Sequence, residues 1–177
     1  MQIPPDALVV LVGPSGCGKS TFARQHFTET QVVSSDECRR LVSDDAGNQA
    51  ATRAAFAVFY TLVRGRLTHG RLTVADATNL SPRSREKLRQ AADSRRRPRI
   101  AIALDVPLEV CVARQTMRAR QVRRDVVERG HAELQQAPRD LPHEGFAHVY
   151  VVRPATEGAA RAVVNIDEMP APRQLTA

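Results

Sequence analysis

Nine residues near the N-terminus have the types and spacing to hold a phosphate: Gly13-Pro14-Ser15-Gly16-Cys17-Gly18-Lys19-Ser20-Thr21. They fit the pattern G-x-x-x-x-G-K-[ST], whose glycines let the backbone turn tightly and approach an anion with no Cβ in the way. Successive N–H groups at a helix N-terminus then form an anion nest. In this pattern Lys19 reaches the β and γ phosphates, and the Ser20 hydroxyl ligates Mg²⁺. Gly13, Ser15, Gly16, Cys17, Gly18, Lys19, Ser20 and Thr21 are therefore the candidate nucleotide contacts. The alternative is a glycine-rich turn that binds nothing. The flanks weigh against it, because Ala7–Val12 (ALVVLV) reads as a buried strand and Thr21–Phe27 as a helix.

Two carboxylates follow short apolar runs. Ser34-Ser35-Asp36-Glu37-Cys38-Arg39-Arg40 closes the run Thr30–Ser34, and Ser34 and Glu37 have capping-box spacing. Asp36 then lies in the first turn of a helix, with Arg39 and Arg40 on its face. Such a pair reads either as surface electrostatics or as a carboxylate that orients an acceptor hydroxyl toward the γ-phosphate. The run Leu72–Asp76 ends in Asp76-Ala77-Thr78-Asn79, and an Asp there is a candidate for the Mg²⁺ shell. Asp36 and Asp76 thus compete for the roles of acceptor base and metal partner, and spacing alone leaves the contest open.

A third group is cationic. Arg114 and Arg118 share a helix face at i and i+4, and Arg120, Arg123 and Arg124 follow. Alone, the run is a solvated basic face. Beside a phosphate loop it reads as a lid, over about 114–135, that spreads charge on the transferring phosphoryl group. Arg95-Arg96-Arg97-Pro98-Arg99 precedes a strand in a turn and reads as solvated surface.

The elements that must position these groups alternate. Strands are expected at Ala7–Val12, Thr30–Ser34, Leu72–Asp76, Arg99–Leu104 and His148–Val152. Helices are expected between them: one over Ala50–Thr68, whose Phe56, Phe59, Tyr60 and Val63 are core by their spacing, one opening at Ser81-Pro82 and one at Pro107. The alternation implies an α/β fold, a five-stranded parallel sheet with helices on both faces and ligands bound past the strand ends. The 177 residues imply one domain over 1–166, with 167–177 a tail or linker. Net charge +7 suits a polyanionic partner, although 24 of the 26 basic residues are Arg, a bias that base composition alone can produce. Cys17, Cys38 and Cys111 form no C-x-x-C pair and read as reduced thiols. With no apolar run of membrane-spanning length and no signal-peptide pattern, the expected setting is cytoplasmic, without a membrane partner.

In these residues the chain resembles the kinase domain of bacterial polynucleotide kinase-phosphatases of RNA repair. The resemblance runs in order from GPSGCGKST through VVSSDECRRLVSDD, NQAAT, LTVADATNL and VPLEVCVARQTMRARQV to EGFAHVYVV. The phosphate loop is common to many kinases; SSDxCRxLxSDD, DATN and the R-x-x-x-R lid are far more specific. The resemblance implies a P-loop kinase that moves the γ-phosphate of ATP, or another NTP, to the 5′-OH of an RNA or DNA end with Mg²⁺. By the same likeness Asp36 is the general base, Arg39 holds the acceptor strand and Gln49 matches an essential glutamine. Arg114 and Arg118 meet the ATP phosphates, while Asp76 and Asn79 have supporting roles. The likeness favours Asp36 in the carboxylate contest. The family's phosphatase and ligase modules are absent from the sequence, which reads as one repair module of something longer. Two rivals share much of this pattern: a P-loop kinase of a metabolite or antibiotic hydroxyl, and a nucleotide-binding module without catalysis. A switch of the second kind needs neither Asp36 nor lid arginines. The sequence does not choose between RNA and DNA, nor fix the oligomeric state.

Overall fold

The computed structural model describes residues 3–117, 122–154 and 164–169. Parallel strands form at all five apolar runs: β1 (Leu8–Val12), β2 (Val32–Ser34), β3 (Thr73–Asp76), β4 (Arg99–Leu104) and β5 (His148–Pro154). Their order in the sheet is β2-β3-β1-β4-β5, so β1 lies at the centre and its five residues are all buried. A sixth strand, β6 (Val164–Met169), pairs antiparallel with β5, Val149 opposite Met169 and Pro154 opposite Val164. The tail expected from Asp167 thus starts inside this strand, and the sheet runs past the expected boundary at 166. Val164-Asn165-Ile166-Asp167 does alternate apolar and polar residues. The acidic residues and prolines after it hide that signal. Residues 170–177 lie outside the described part.

The helices are α1 (Lys19–His26), α2 (Ser35–Ser43), α3 (Thr52–Thr68), α4 (Pro82–Asp93), α5 (Leu108–Thr116) and α6 (Arg124–Asp140). Local chemistry sets their starts. The Ser34 hydroxyl accepts from the Glu37 amide at 3.4 Å, half of the expected capping box, and Ser81 caps α4 ahead of Pro82. α3 starts two residues later than its periodicity predicts, because Gln49–Ala51 form a 3-10 turn first.

Strand alternation divides the core. Leu8, Val10 and Val12 face a cluster built with α3, α4 and α6, where Phe59, Val63, Leu67, Leu88 and Leu134 are fully buried. Val9 and Leu11 face the opposite cluster, with Phe22 of α1 and Cys111 of α5. Each such side chain contributes about 1.5–3 kcal/mol by leaving water. Phe56, Phe59 and Tyr60 pack edge-on or tilted on one another at 5.4–5.9 Å between ring centroids. They are core aromatics, as their spacing predicts. Among the described residues no helix is long and apolar enough to cross a membrane.

Candidate active site

Parallel strands bring the loops after β1, β2 and β3 to one edge of the sheet, and the candidate residues meet there. The phosphate loop leaves β1 through Gly13, whose amide donates to the Thr78 carbonyl at 3.0 Å. Gly16 and Gly18 take φ of 88° and 101°, left-handed values that disfavour a side chain. A Cβ at Gly16 would also run into the Cys111 carbonyl, so α5 presses directly on the loop. Lys19 opens α1 and is 8% exposed. Its Nζ donates to the Gly13 carbonyl at 2.9 Å and to the Pro14 carbonyl at 2.8 Å, which bends the loop around the ammonium. The cysteines are free and buried, and burial pushes the Cys111 thiol up to about 11.

The Ser20 hydroxyl donates to Asp76 Oδ2 at 2.8 Å. That bond joins the loop to the end of β3 and sets two hard oxygens side by side, the donor type that suits Mg²⁺. Asp76 is 4% exposed. Burial holds its carboxyl above the ordinary carboxylate range; the Ser20 bond and Lys19 draw it back, Asp36 raises it and Arg24 lowers it. A buried carboxylate with a raised pKa favours its protonated form in the folded state. It therefore costs stability once pH rises through that value, and a cation offsets the cost. Asp76→Asn should raise the melting temperature of the nucleotide-free protein by a few degrees, about 1 kcal/mol, at neutral pH. The gain should fade as pH falls toward the ordinary Asp value of about 3.9. The same change should remove the extra thermal stabilisation that Mg²⁺ adds to ATP. Calorimetry across pH, with and without Mg²⁺, measures both effects; a lower melting temperature at neutral pH would contradict the buried-charge account.

Asp36 stands in the first turn of α2, exposed, with its Oδ1 2.5 Å from Arg39 Nη1. The i,i+3 pair expected from the sequence forms, but it is not a surface pair on both sides, because Arg39 is only 6% exposed. Arg39 Nη1 also donates to the Ala46 carbonyl at 3.0 Å, which fixes the guanidinium against the loop after α2. Arg40 turns to Glu37 instead, at 2.6 Å. Gln49 begins the turn before α3; it is exposed and bonds locally, to the Gly47 carbonyl at 3.4 Å and the Thr52 hydroxyl at 3.5 Å.

The expected lid spans two helices. Arg114, near the end of α5, donates from Nη1 to the Cys17 carbonyl at 3.3 Å, so this arginine sits on the loop. Arg118 lies outside the described residues. The next residue after Arg114 is one that sequence reasoning passed over. Gln115, 3% exposed, donates from Nε2 to the Ser15 hydroxyl at 2.7 Å, and its Oε1 accepts from the Val122 amide at 3.4 Å. One side chain thereby ties α5, the phosphate loop and the foot of α6. α6 reaches the loop as well: a Cβ at Gly130 would stand 3.3 Å from the Pro14 Cβ.

Asn79 holds the loop after β3. At φ 48° it is left-handed, and its Nδ2 donates to the Leu11 carbonyl at 2.9 Å and to the Ala75 carbonyl at 3.1 Å. Its own carbonyl accepts from Arg85 Nη1 at 3.1 Å, and the Leu80 carbonyl accepts from the same atom. Arg85 is fully buried and pairs with Glu144, its Nη2 2.5 Å from Oε1 and its Nε 2.9 Å from Oε2. This pair was also missed. Its partners stand 59 residues apart, and nothing local marks either one.

This constellation occurs on a known fold. A chain of the Pnkp1/Rnl/Hen1 RNA repair complex is 24% identical with a TM-score of 0.66, over 79% of this chain and 47% of that one. The chain thus spans about half the length of that relative. A gluconokinase from Sinorhizobium meliloti 1021 is 15% identical with a TM-score of 0.53, over 85% of this chain and 84% of that one. A chain of the PezAT chromosomal toxin-antitoxin system of Streptococcus pneumoniae is 14% identical with a TM-score of 0.61, over 86% and 68%. At these identities the likeness shows the fold, that of P-loop kinases. No curated protein matches the sequence. The model of the AAA domain family matches residues 8–141, from the first residue of β1 to one residue past α6, and the chain belongs to that family of P-loop domains.

Proposed function

We propose that the chain transfers the γ-phosphate of ATP to the 5′-hydroxyl of an RNA or DNA end. The observation that carries this reading is the Asp36–Arg39 pair, at the end of β2, on the same sheet edge as the phosphate loop and close enough for Asp36 to act on the charge of Asp76. A nucleotide-binding module without catalysis has no use for a carboxylate held there by a buried guanidinium. The motif likeness to RNA-repair kinases and the fold likeness to a chain of an RNA repair complex support a polynucleotide as the acceptor. The fold likeness to a gluconokinase supports a second reading, a small hydroxylated metabolite.

In this reading the loop amides and Lys19 bind the β and γ phosphates. Ser20 and Asp76 would hold Mg²⁺, which when bound neutralises phosphate charge. Asp36 accepts the hydrogen bond of the acceptor hydroxyl, aims its oxygen at the γ-phosphorus and takes its proton as the transfer completes. Arg39 fixes that carboxylate through Nη1; its Nε is buried, so Nη2 is the nitrogen left to meet the acceptor's adjacent phosphate. Arg114 spreads the charge of the transferring group, and Arg118 joins it. Gln115 keeps that arginine helix in register with the loop.

Labelled ATP with a short 5′-OH oligonucleotide tests the reading. We expect incorporation, with an acceptor KM that rises severalfold from low to physiological salt, since each neutralised phosphate adds about −0.7 to the log–log slope for a single strand. Arg39→Ala should raise that KM severalfold, flatten the slope by up to about one contact and leave the KM for ATP nearly unchanged. An inert oligonucleotide beside an active sugar acceptor would hand the site to the metabolite reading.

A further inference from the structure

We propose that the exposed face of α3, and the arginine-rich edge where α3 ends, form a track for the body of the acceptor nucleic acid. The proposal rests on the polynucleotide reading above and adds where the strand runs once its 5′ end is in the site. α3 follows directly on the Gln49–Ala51 turn, beside the acceptor residues of α2. It ends at the opposite edge of the sheet, because β3 starts there to run parallel with β1. One helix of 17 residues therefore crosses the domain, a span of about 25 Å.

The composition of α3 is unusual for its length. It contains no Asp or Glu, and its charges are Arg53, Arg64 and Arg66. Arg53, Ala57, Thr61, Arg64 and Thr68 are all exposed, and their spacing puts them on one face. Small side chains in the middle let a sugar-phosphate backbone lie close, and no carboxylate on the helix repels it.

At the far end the turn after α4 is bonded to α3. Arg97 Nε donates to the Leu67 carbonyl at 3.1 Å, and Arg95 Nε to the Thr68 hydroxyl at 2.6 Å. Arg66 donates to the Leu72 carbonyl at 2.9 Å, and Arg71 is close enough to act on its charge. Asp6 and Asp93 pair with Arg97 and Arg99 at this edge. Helix C-termini attract cations, and that accounts for arginines whose nitrogens bond helix-end carbonyls. It does not account for Arg96. This residue is exposed just past α4 with φ 53°, a position where glycine is the relaxed choice. There the chain carries a guanidinium in a conformation that disfavours any side chain. Charge complementarity and the length of the track fit a nucleic-acid backbone. At about 3.4 Å per base pair, α3 spans about seven steps, so a long stem reaches the arginine edge and a tetranucleotide does not.

The test compares the parent with three variants. Arg64→Glu with Arg71→Glu reverses exposed charges on the track. Arg83→Glu with Arg139→Glu makes the same change in net charge on exposed positions elsewhere. Arg96→Gly removes one charge and relaxes the backbone. Fluorescence anisotropy with a 5′-phosphorylated RNA duplex of about 20 base pairs, without ATP, reads binding apart from catalysis. We expect the track variant to lose about tenfold or more in affinity and to flatten the salt slope by about two contacts, with the control double changing less than about threefold. Arg96→Gly should bind the duplex more weakly while its melting temperature rises, an outcome that damage to the fold cannot produce. On a 5′-OH tetranucleotide the track variant should keep the parent's kcat/KM. Equal losses in the two double variants, or no loss in either, overturn the track. If the parent binds the duplex by this face yet phosphorylates no 5′-OH oligonucleotide, the kinase reading falls and the track stands.

Discussion

Asp36→Ala and Asp36→Asn should abolish transfer to the acceptor while MgATP still binds with an affinity close to the parent's. A positioned general base contributes about 10²–10⁴-fold, and both replacements remove the proton acceptor. Asp36 should matter little for ATP itself, because it stands past β2 with its carboxylate on Arg39, whereas Asp76 holds Ser20 of the phosphate loop directly. The two replacements differ in one respect. Arg39 is buried and spends Nη1 on Asp36 and on Ala46. Asn keeps an oxygen for that guanidinium and should keep the parent's melting temperature; Ala leaves a buried donor short of a partner, which costs about 1–3 kcal/mol. Single-turnover transfer, ATP titration and thermal melts on both variants separate these effects. A matching loss of ATP affinity would make Asp36 a nucleotide-side residue and move the base to Asp76.

Lys19→Ala should remove turnover as completely, by another route. Its ammonium is the fixed cation of the loop, 2.8–2.9 Å from two loop carbonyls. In the proposed reading it exchanges those partners for the β and γ phosphates. Losing a preorganised charge of this kind costs about 10²–10³-fold in kcat, or about 3–4 kcal/mol. Arg in its place should not rescue, since a planar fork on a longer stem cannot occupy the space of a point charge inside a closed loop. The variant should also lose ATP affinity, which sets it apart from Asp36→Asn. Turnover within a few-fold of the parent would remove Lys19 from the chemistry.

The parts of this site that lie within one loop or one helical turn were legible in the sequence. The spacing of Gly13–Thr21 specifies the nest, and the Ser34/Glu37 and Asp36/Arg39 pairs follow from helix geometry. The five parallel strands were legible because each is a short apolar run between turn signals. What the sequence did not reveal depends on the packing of distant elements. Gln115 reaches Ser15 across 100 residues, and Arg85 reaches Glu144 across 59. No periodicity ties such partners together, and each alone looks like an ordinary polar residue on a helix or turn. β6 was hidden for another reason: its alternation is four residues long and runs into acidic residues and prolines. The Asp36–Asp76 contest was open in the sequence because both residues follow short apolar runs. The Ser20–Asp76 bond ties Asp76 to the phosphate loop, which supports giving the acceptor side to Asp36.

Arg85 and Glu144 bear on when the site becomes complete during synthesis. The phosphate loop, β3 and Asn79 leave the ribosome well before Glu144 does. Until then α4 cannot close over the loop after β3 without burying a guanidinium that lacks its carboxylate, and a lone buried charge costs about 3–5 kcal/mol. The nascent chain can make the centre of its sheet early, but the Asn79–Leu80 carbonyls acquire their clamp only when the turn Leu141–Glu144 has been made. The buried ion pair thus makes the setting of the loop after β3 wait for the turn Leu141–Glu144, although the phosphate loop itself is made far earlier.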